Sequence, residues 1–130
     1  KKLALSTLGT YPAIMVFEAE GKKLNPIDLF FENTIQSLSL SQDGVYLMAE
    51  LSNPQGSRSV YIYDAEKGKR VDDSMKEIMK PDKYSINTPY WISGNELVFN
   101  VSGMPGLTPD EEKMVGSYKF DAKNIILTRY

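Results

Sequence analysis

The stretch "LSLSQDGVYLMAELSNPQGSRSVYIYDAEKGKRV", residues 38–71, decides the fold. Apolar residues alternate through its first part and break at Asp43-Gly44, a tight-turn pair in which glycine is free to take positive φ. A second apolar run follows, then a polar loop at 53–58. A third run ends on Tyr63-Asp64, ahead of the Ala-Glu-Lys-Gly turn. Alternation of this kind, punctuated by turn residues, predicts antiparallel strands. The last hairpin is written three times: "AIMVFEAEGKKL" at 13–24, "SVYIYDAEKGKRV" at 59–71 and "GSYKFDAKNIIL" at 116–127. Tyr becomes Phe, Asp becomes Glu and the lysines shift, while the alternation and the turn persist.

Working outward, further strands are expected at "LALSTL" (3–8), "IMVFEAE" (14–20), "LNPIDLFF" (24–31) and "TIQSLSLS" (34–41). Turns are expected at Gly9–Pro12 and Gly21-Lys22-Lys23. Pro26 assigns its strand to an edge, because proline cannot donate to a ladder. In the fourth run Ile35, Ser37 and Ser39 share one face, and Leu38 and Leu40 the other. "TPYWIS" (88–93) and "ELVFNVS" (96–102) form a hairpin through Gly94-Asn95, and "SYKFDA" and "IILTRY" close the chain. Tyr90 and Trp91 are adjacent, so one points into the core and the other outward. Between 71 and 85, Met75, Ile78 and Met79 fit either a short helical segment or a loop with buried methionines. In "GMPGLTPDEEKMVG" (103–116) Thr108 suits a cap, Pro109 the first helical position, and Asp110, Glu111 and Glu112 the dipole, which predicts one helical turn.

The 130 residues suit one domain, divided into units at about 3–33, 34–85 and 86–130. The first unit begins only at its second strand; the others contain four strands each. A formal net charge of −2 supplies no basic field for nucleic acid. No apolar run approaches the roughly 20 residues of a membrane-spanning helix. The two lysines before an apolar stretch at the start resemble a signal peptide, but the turn at Gly9–Pro12 favours two short strands. A natural start is expected upstream, and its removal would fit a periplasmic or secreted protein.

With no histidine and no cysteine, the usual general base, the commonest metal ligand and the thiol nucleophile are absent. No cofactor and no catalytic residue is assigned. The acids Glu18, Glu20, Asp28, Glu32, Asp43, Glu50, Asp64 and Glu66 fall mostly in turns or on solvent faces. Asp64, with Glu18 and Asp121 as equivalents, bonds the backbone of the turn that follows it.

The repeat, spaced at about fifty residues, resembles blades of a β-propeller of the TolB-like or WD-type kind. The resemblance implies an all-β fold of antiparallel meanders, with two to three blade-like units and one or two short helical turns. A closed propeller takes four or more blades, so the arrangement is open or sandwich-like. "LSQDGVYLMAELSNPQGSRSVYIYD" is also similar to the blade-like immunity proteins that block peptidoglycan amidases delivered by type VI secretion. That likeness implies a loop that enters the amidase cleft, with Ser52, Asn53, Ser57 and Ser59 at the matching positions.

The variable loops, not the repeated hairpin, are therefore the expected contact surface. Candidate partner contacts are Ser52, Asn53, Gln55, Ser57, Arg58 and Ser59 in one loop, and Met104 and Leu107 in the other. Arg58 suits a partner carboxylate. Met104, Pro105 and Leu107 either fold back over the sheet or form a binding knob. The function expected is non-enzymatic binding of a protein, in its sharpest form inhibition of a secreted cell-wall hydrolase. A part of a larger propeller and a carboxylate-dependent hydrolase are the alternatives.

Overall fold

The computed structural model describes residues 2–7, 11–18, 23–30 and 32–130. The turns expected at Gly9–Pro12 and Gly21-Lys22-Lys23 fall largely outside these residues. Among the described residues the fold is all-β, with ten strands in three antiparallel sheets that form an open stack. The first sheet joins β1 (Lys2–Ser6), β2 (Ala13–Glu18) and β3 (Lys23–Leu29) in chain order. The second joins β4 (Thr34–Leu40), β5 (Tyr46–Ser52) and β6 (Arg58–Asp64). The third runs β7 (Tyr84–Trp91), β8 (Glu96–Gly103), β9 (Gly116–Asp121) and β10 (Ile126–Arg129). Pro26 lies in β3, an edge strand, as expected.

The second sheet is the centre of the stack, and both of its faces are buried. Leu47, Ala49, Leu51 and Tyr63 meet Ile14, Val16 and Phe30 of the first sheet's side. Met48, Val60 and Ile62 meet Ile86, Leu97, Phe99 and Phe120 of the third sheet. A strand covered on both sides reads as a continuous apolar run, which is why β5 is written "YLMAEL". Tyr63 spans one interface and donates a 2.6 Å hydrogen bond to Asp28 Oδ2. Burial, and then Asp28, push the phenol far above its ordinary pKa and keep the proton in place.

The short turns hold themselves. Ser41 Oγ donates to Asp43 Oδ1 at 2.9 Å, while the amides of Tyr46 and Val45 donate to Ser41 Oγ and Asp43 Oδ1 at 3.0 Å each. Gly44 closes this turn at φ +75°, as its place after Asp43 predicts. Asp64 Oδ1 accepts from the amides of Glu66 and Lys67 at 3.0 and 2.9 Å. Asp121 Oδ1 accepts from Lys123 and Asn124 at 2.9 and 3.1 Å. The acid of the repeated hairpin is thus a turn former in the second and third copies, while the Glu18 side chain and its turn lie outside the described residues.

Three details depart from the sequence reading: a bulge, a shortened strand and the start of β7. The ladder between β4 and β5 shifts between Ile35 and Ser37. This bulge turns Ile35 to the side of Leu38 and Leu40, against the same core. The fourth strand of the middle unit shrinks to a single bridge between Tyr63 and Arg70. Residues 71–83, for which a short helical segment and a loop with buried methionines were both open, take a 3₁₀ turn, Asp73–Met75, followed by bonds from the amides of Ile78 and Met79 to the Met75 carbonyl. Met75 and Ile78 are fully buried there. β7 begins at Tyr84, earlier than Thr88.

The other helical element is α1 (Pro109–Glu112), one turn with Thr108 as its cap. A reciprocal capping box joins Thr108 and Glu111, with bonds of 3.0 and 3.2 Å.

Comparison of the second and third hairpin copies exposes a strained position. Gly68 and Ile125 occupy corresponding places after Asp64 and Asp121, and both have left-handed backbone, with φ of +71° and +57°. That region costs a β-branched residue roughly 1–2 kcal/mol. Ile125→Gly is expected to stabilise the chain by about 1 kcal/mol and raise Tm by about 3 °C in calorimetry.

Candidate functional site

Because strands alternate in direction, the tight turns at 41–44, 64–69 and 92–95 collect at one end of the second and third sheets. The loops at 53–57 and 103–115 collect at the other. Asn53, Gln55, Ser57, Pro81, Asp82, Met104 and Pro105 line a cleft of about 620 Å³ between these loops. A second cleft, of about 360 Å³, shares Pro81 with it and reaches Ser59, Tyr61, Arg70, Asp72 and Lys76.

The 53–57 loop is shaped by Asn53. Its Oδ1 accepts from the amides of Gln55 and Ser57 at 3.1 and 2.8 Å, and its backbone closes the turn with Ser57 and Gly56. Ser57 is 2% exposed. Its hydroxyl donates to the Tyr84 carbonyl at 3.0 Å, while the Arg58 amide donates to Ser85 Oγ at 3.0 Å. The second loop is tied to the same strand. The Met104 amide donates to the Lys83 carbonyl at 2.8 Å, and Tyr84 Oη donates to the Glu111 carbonyl at 2.7 Å. Lys83 and Glu111 form an ion pair. Residues 83–85 therefore fasten both loops.

The sequence candidates separate on this frame. Asn53, Gln55, Ser57 and Met104 come together at the first cleft. Gln55 presents its side chain at the exposed Pro54–Gly56 tip, whereas the Ser57 hydroxyl is spent on the frame. Ser52 donates to the Asn53 carbonyl at 3.4 Å, and Ser59 lies in the second cleft. Arg58 pairs with Glu50 at 3.4 Å. Leu107 folds back and packs against the core of the second and third sheets. Of the adjacent aromatics, Trp91 packs on that core and Tyr90 is exposed.

Sequence reasoning missed the second cleft. Asp72 is 2% exposed and accepts from the Ile62 amide at 2.7 Å. It also accepts from Arg70 Nε and Nη2, at 3.2 and 2.9 Å. The Arg70 guanidinium lies over the Tyr61 ring, 3.5 Å from its centroid. Burial raises the Asp72 pKa against the opposing pull of the Ile62 amide and Arg70. The signal was available: the acids "DD" at 72–73 stand where the third unit ends its last strand with "RY" at 129–130.

No family model matches the chain, and no curated protein matches it. Among solved structures the chain is similar to TolB from Acinetobacter baumannii, a β-propeller protein, with 21% sequence identity and a TM-score of 0.51. The likeness covers 99% of this chain and 29% of that one. It supports the TolB-like blade fold of the three sheets.

Two outcomes follow from this geometry. Asp72→Ala strands a buried amide and the partnered face of Arg70, and is expected to cost about 2–3 kcal/mol in denaturant unfolding. The hydrogen bond from Lys83, and then the Thr108 amide, hold Glu111 down at about 2, against an ordinary 4.5. Its folded pKa is depressed, so the pair's stabilisation is complete above pH 4.5 and is lost as pH falls toward 2. Glu111→Gln should flatten that acid limb in a Tm-against-pH series.

Proposed function

We propose that the chain is a non-enzymatic protein-binding domain that meets its partner with the long-loop end. The observation that carries this is the meeting of the two variable loops across one cleft, on a frame fastened through residues 83–85. A surface already ordered loses little conformational freedom on binding. Pro54, Gln55 and Gly56 form the exposed tip, and Met104 and Pro105 supply apolar contact beside it.

In its sharpest form the partner is a secreted peptidoglycan hydrolase, and the setting is the periplasm or the cell exterior. The tip enters the hydrolase cleft and excludes substrate, as the likeness to immunity proteins implies. A carboxylate-dependent hydrolase draws less support. In the two loop-end clefts Asp72 is spent on Arg70, and the other lining acids, Asp73 and Asp82, stand in different clefts rather than facing each other in one.

A second proposal is that the chain is one part of a longer stack of sheets. The outward face of the first sheet favours it. Leu3 and Leu5 are each 47% exposed there, opposite the face that Ala4 and Val16 turn to the core. A further sheet would cover them.

The test of the inhibitor proposal is whether a neighbouring gene encodes a peptidoglycan amidase and whether that amidase binds this chain, by size-exclusion chromatography and cleavage assay. A one-to-one complex with loss of cleavage is expected, and the pair Gln55→Arg and Met104→Glu should weaken it at least tenfold with Tm unchanged. Absence of a complex at micromolar concentrations would sink the proposal.

A further inference from the structure

The outer face of the third sheet is separate from the long-loop end and carries different chemistry. Leu97, Phe99 and Phe120 point into the core, so their neighbours along each strand point outward. One outward row runs Tyr90, Val98, Lys119, Thr128 across the four strands. The next runs Asn87, Asn100, Ser117 and then Tyr130, whose amide donates to the Ser117 carbonyl at 3.0 Å. Val98, 3% exposed, floors a trough of about 160 Å³ with Tyr90 and Tyr130 along its sides. The two rings are 58% and 69% exposed.

The polar groups of the trough are already ordered. Ser117 Oγ donates to Asn100 Oδ1 at 2.6 Å, and Asn100 Nδ2 donates to Thr88 Oγ1 at 3.2 Å. Thr88 has φ +50°, a conformation that strains a β-branched residue. It sits where the ladder shifts between Asn87 and Tyr90. That extra residue sends Trp91 inward and leaves Tyr90 on the outer face.

These features select a class of ligand. Another apolar sheet would bury Asn100, Ser117 and Thr128 against hydrocarbon at a cost. A polyanion finds the local ammonium, Lys119, already paired with Glu96 at 3.2 Å. An uncharged, hydroxyl-rich chain fits both the exposed rings and the amide and hydroxyl groups between them. Three strand spacings separate Tyr90 from the Tyr130 end, about 14 Å, which gives room for more than one sugar ring.

We infer that this face binds a neutral, extended β-linked glycan, with Tyr90 and Tyr130 as stacking platforms and Thr88, Asn100 and Ser117 as hydrogen-bonding partners. The C–H faces of pyranose rings pack on the phenol rings, and their hydroxyls exchange bonds with the trough. This inference is independent of the loop-end proposal.

The experiment is calorimetric titration of the intact chain with two probes, the β-1,4-linked hexamers of glucose and of N-acetylglucosamine. Saturable binding of at least one is expected. Tyr90→Ala and Tyr130→Ala should each weaken it at least tenfold, Tyr90→Phe should retain it, and Gln55→Ala should leave it unchanged. Melting curves of the alanine variants that match the parent separate lost binding from lost fold. No binding of either hexamer at millimolar concentration, or affinity unchanged in both alanine variants, overturns the inference.

Discussion

The structure depends on a middle sheet that has to be apolar on both faces. β5 alternates Leu47, Ala49 and Leu51 toward one core with Met48 toward the other, and β6 places Tyr63 on the first side and Val60 and Ile62 on the second. A one-residue slip would exchange the two sets and present the wrong shapes to both neighbours. Glu50 is the exception in this run. It is held by Ser37 at 3.2 Å and Arg58 at 3.4 Å, so its charge is compensated where it leaves the core.

From that constraint the ends of the stack acquire different roles. At the tight-turn end, each turn is closed by its own side chains: Ser41 with Asp43, Asp64 and Asp121 with the amides that follow them. Such turns are local and repeat from sheet to sheet. At the other end the loops depend on a different segment, residues 83–85, for their anchoring bonds. Their tips are free to vary while their bases stay fixed. The outward faces differ as well. The first sheet exposes Leu3 and Leu5, whereas the third exposes hydroxyls and amides between two tyrosines.

What was legible in the sequence was local. The alternation, the Asp43-Gly44 turn, the turn-forming acids Asp64 and Asp121 and the Thr108–Glu111 box each depend on residues a few positions apart. The bulges at Ile35–Ser37 and Asn87–Tyr90 were not legible, because an extra residue in one strand is defined only against its partner. Ser57 was a candidate contact and is buried, because β7 arrives from 27 positions away to accept its proton. Asp72 was not among the acids that the sequence singled out. It is buried because the chain breaks off its fourth strand and returns a carboxylate to the Ile62 amide.

The sequence by itself determined an all-β chain of repeated, blade-like hairpins and the loops in which the copies differ. These follow from period-two alternation and turn chemistry, both short-range. Tertiary structure decided which loops meet, which polar residues serve the frame and which remain available, and which faces of the outer sheets are left uncovered. Those outcomes depend on how three sheets stack. Stacking is set by packing two cores at once, a condition that no single stretch of the chain contains.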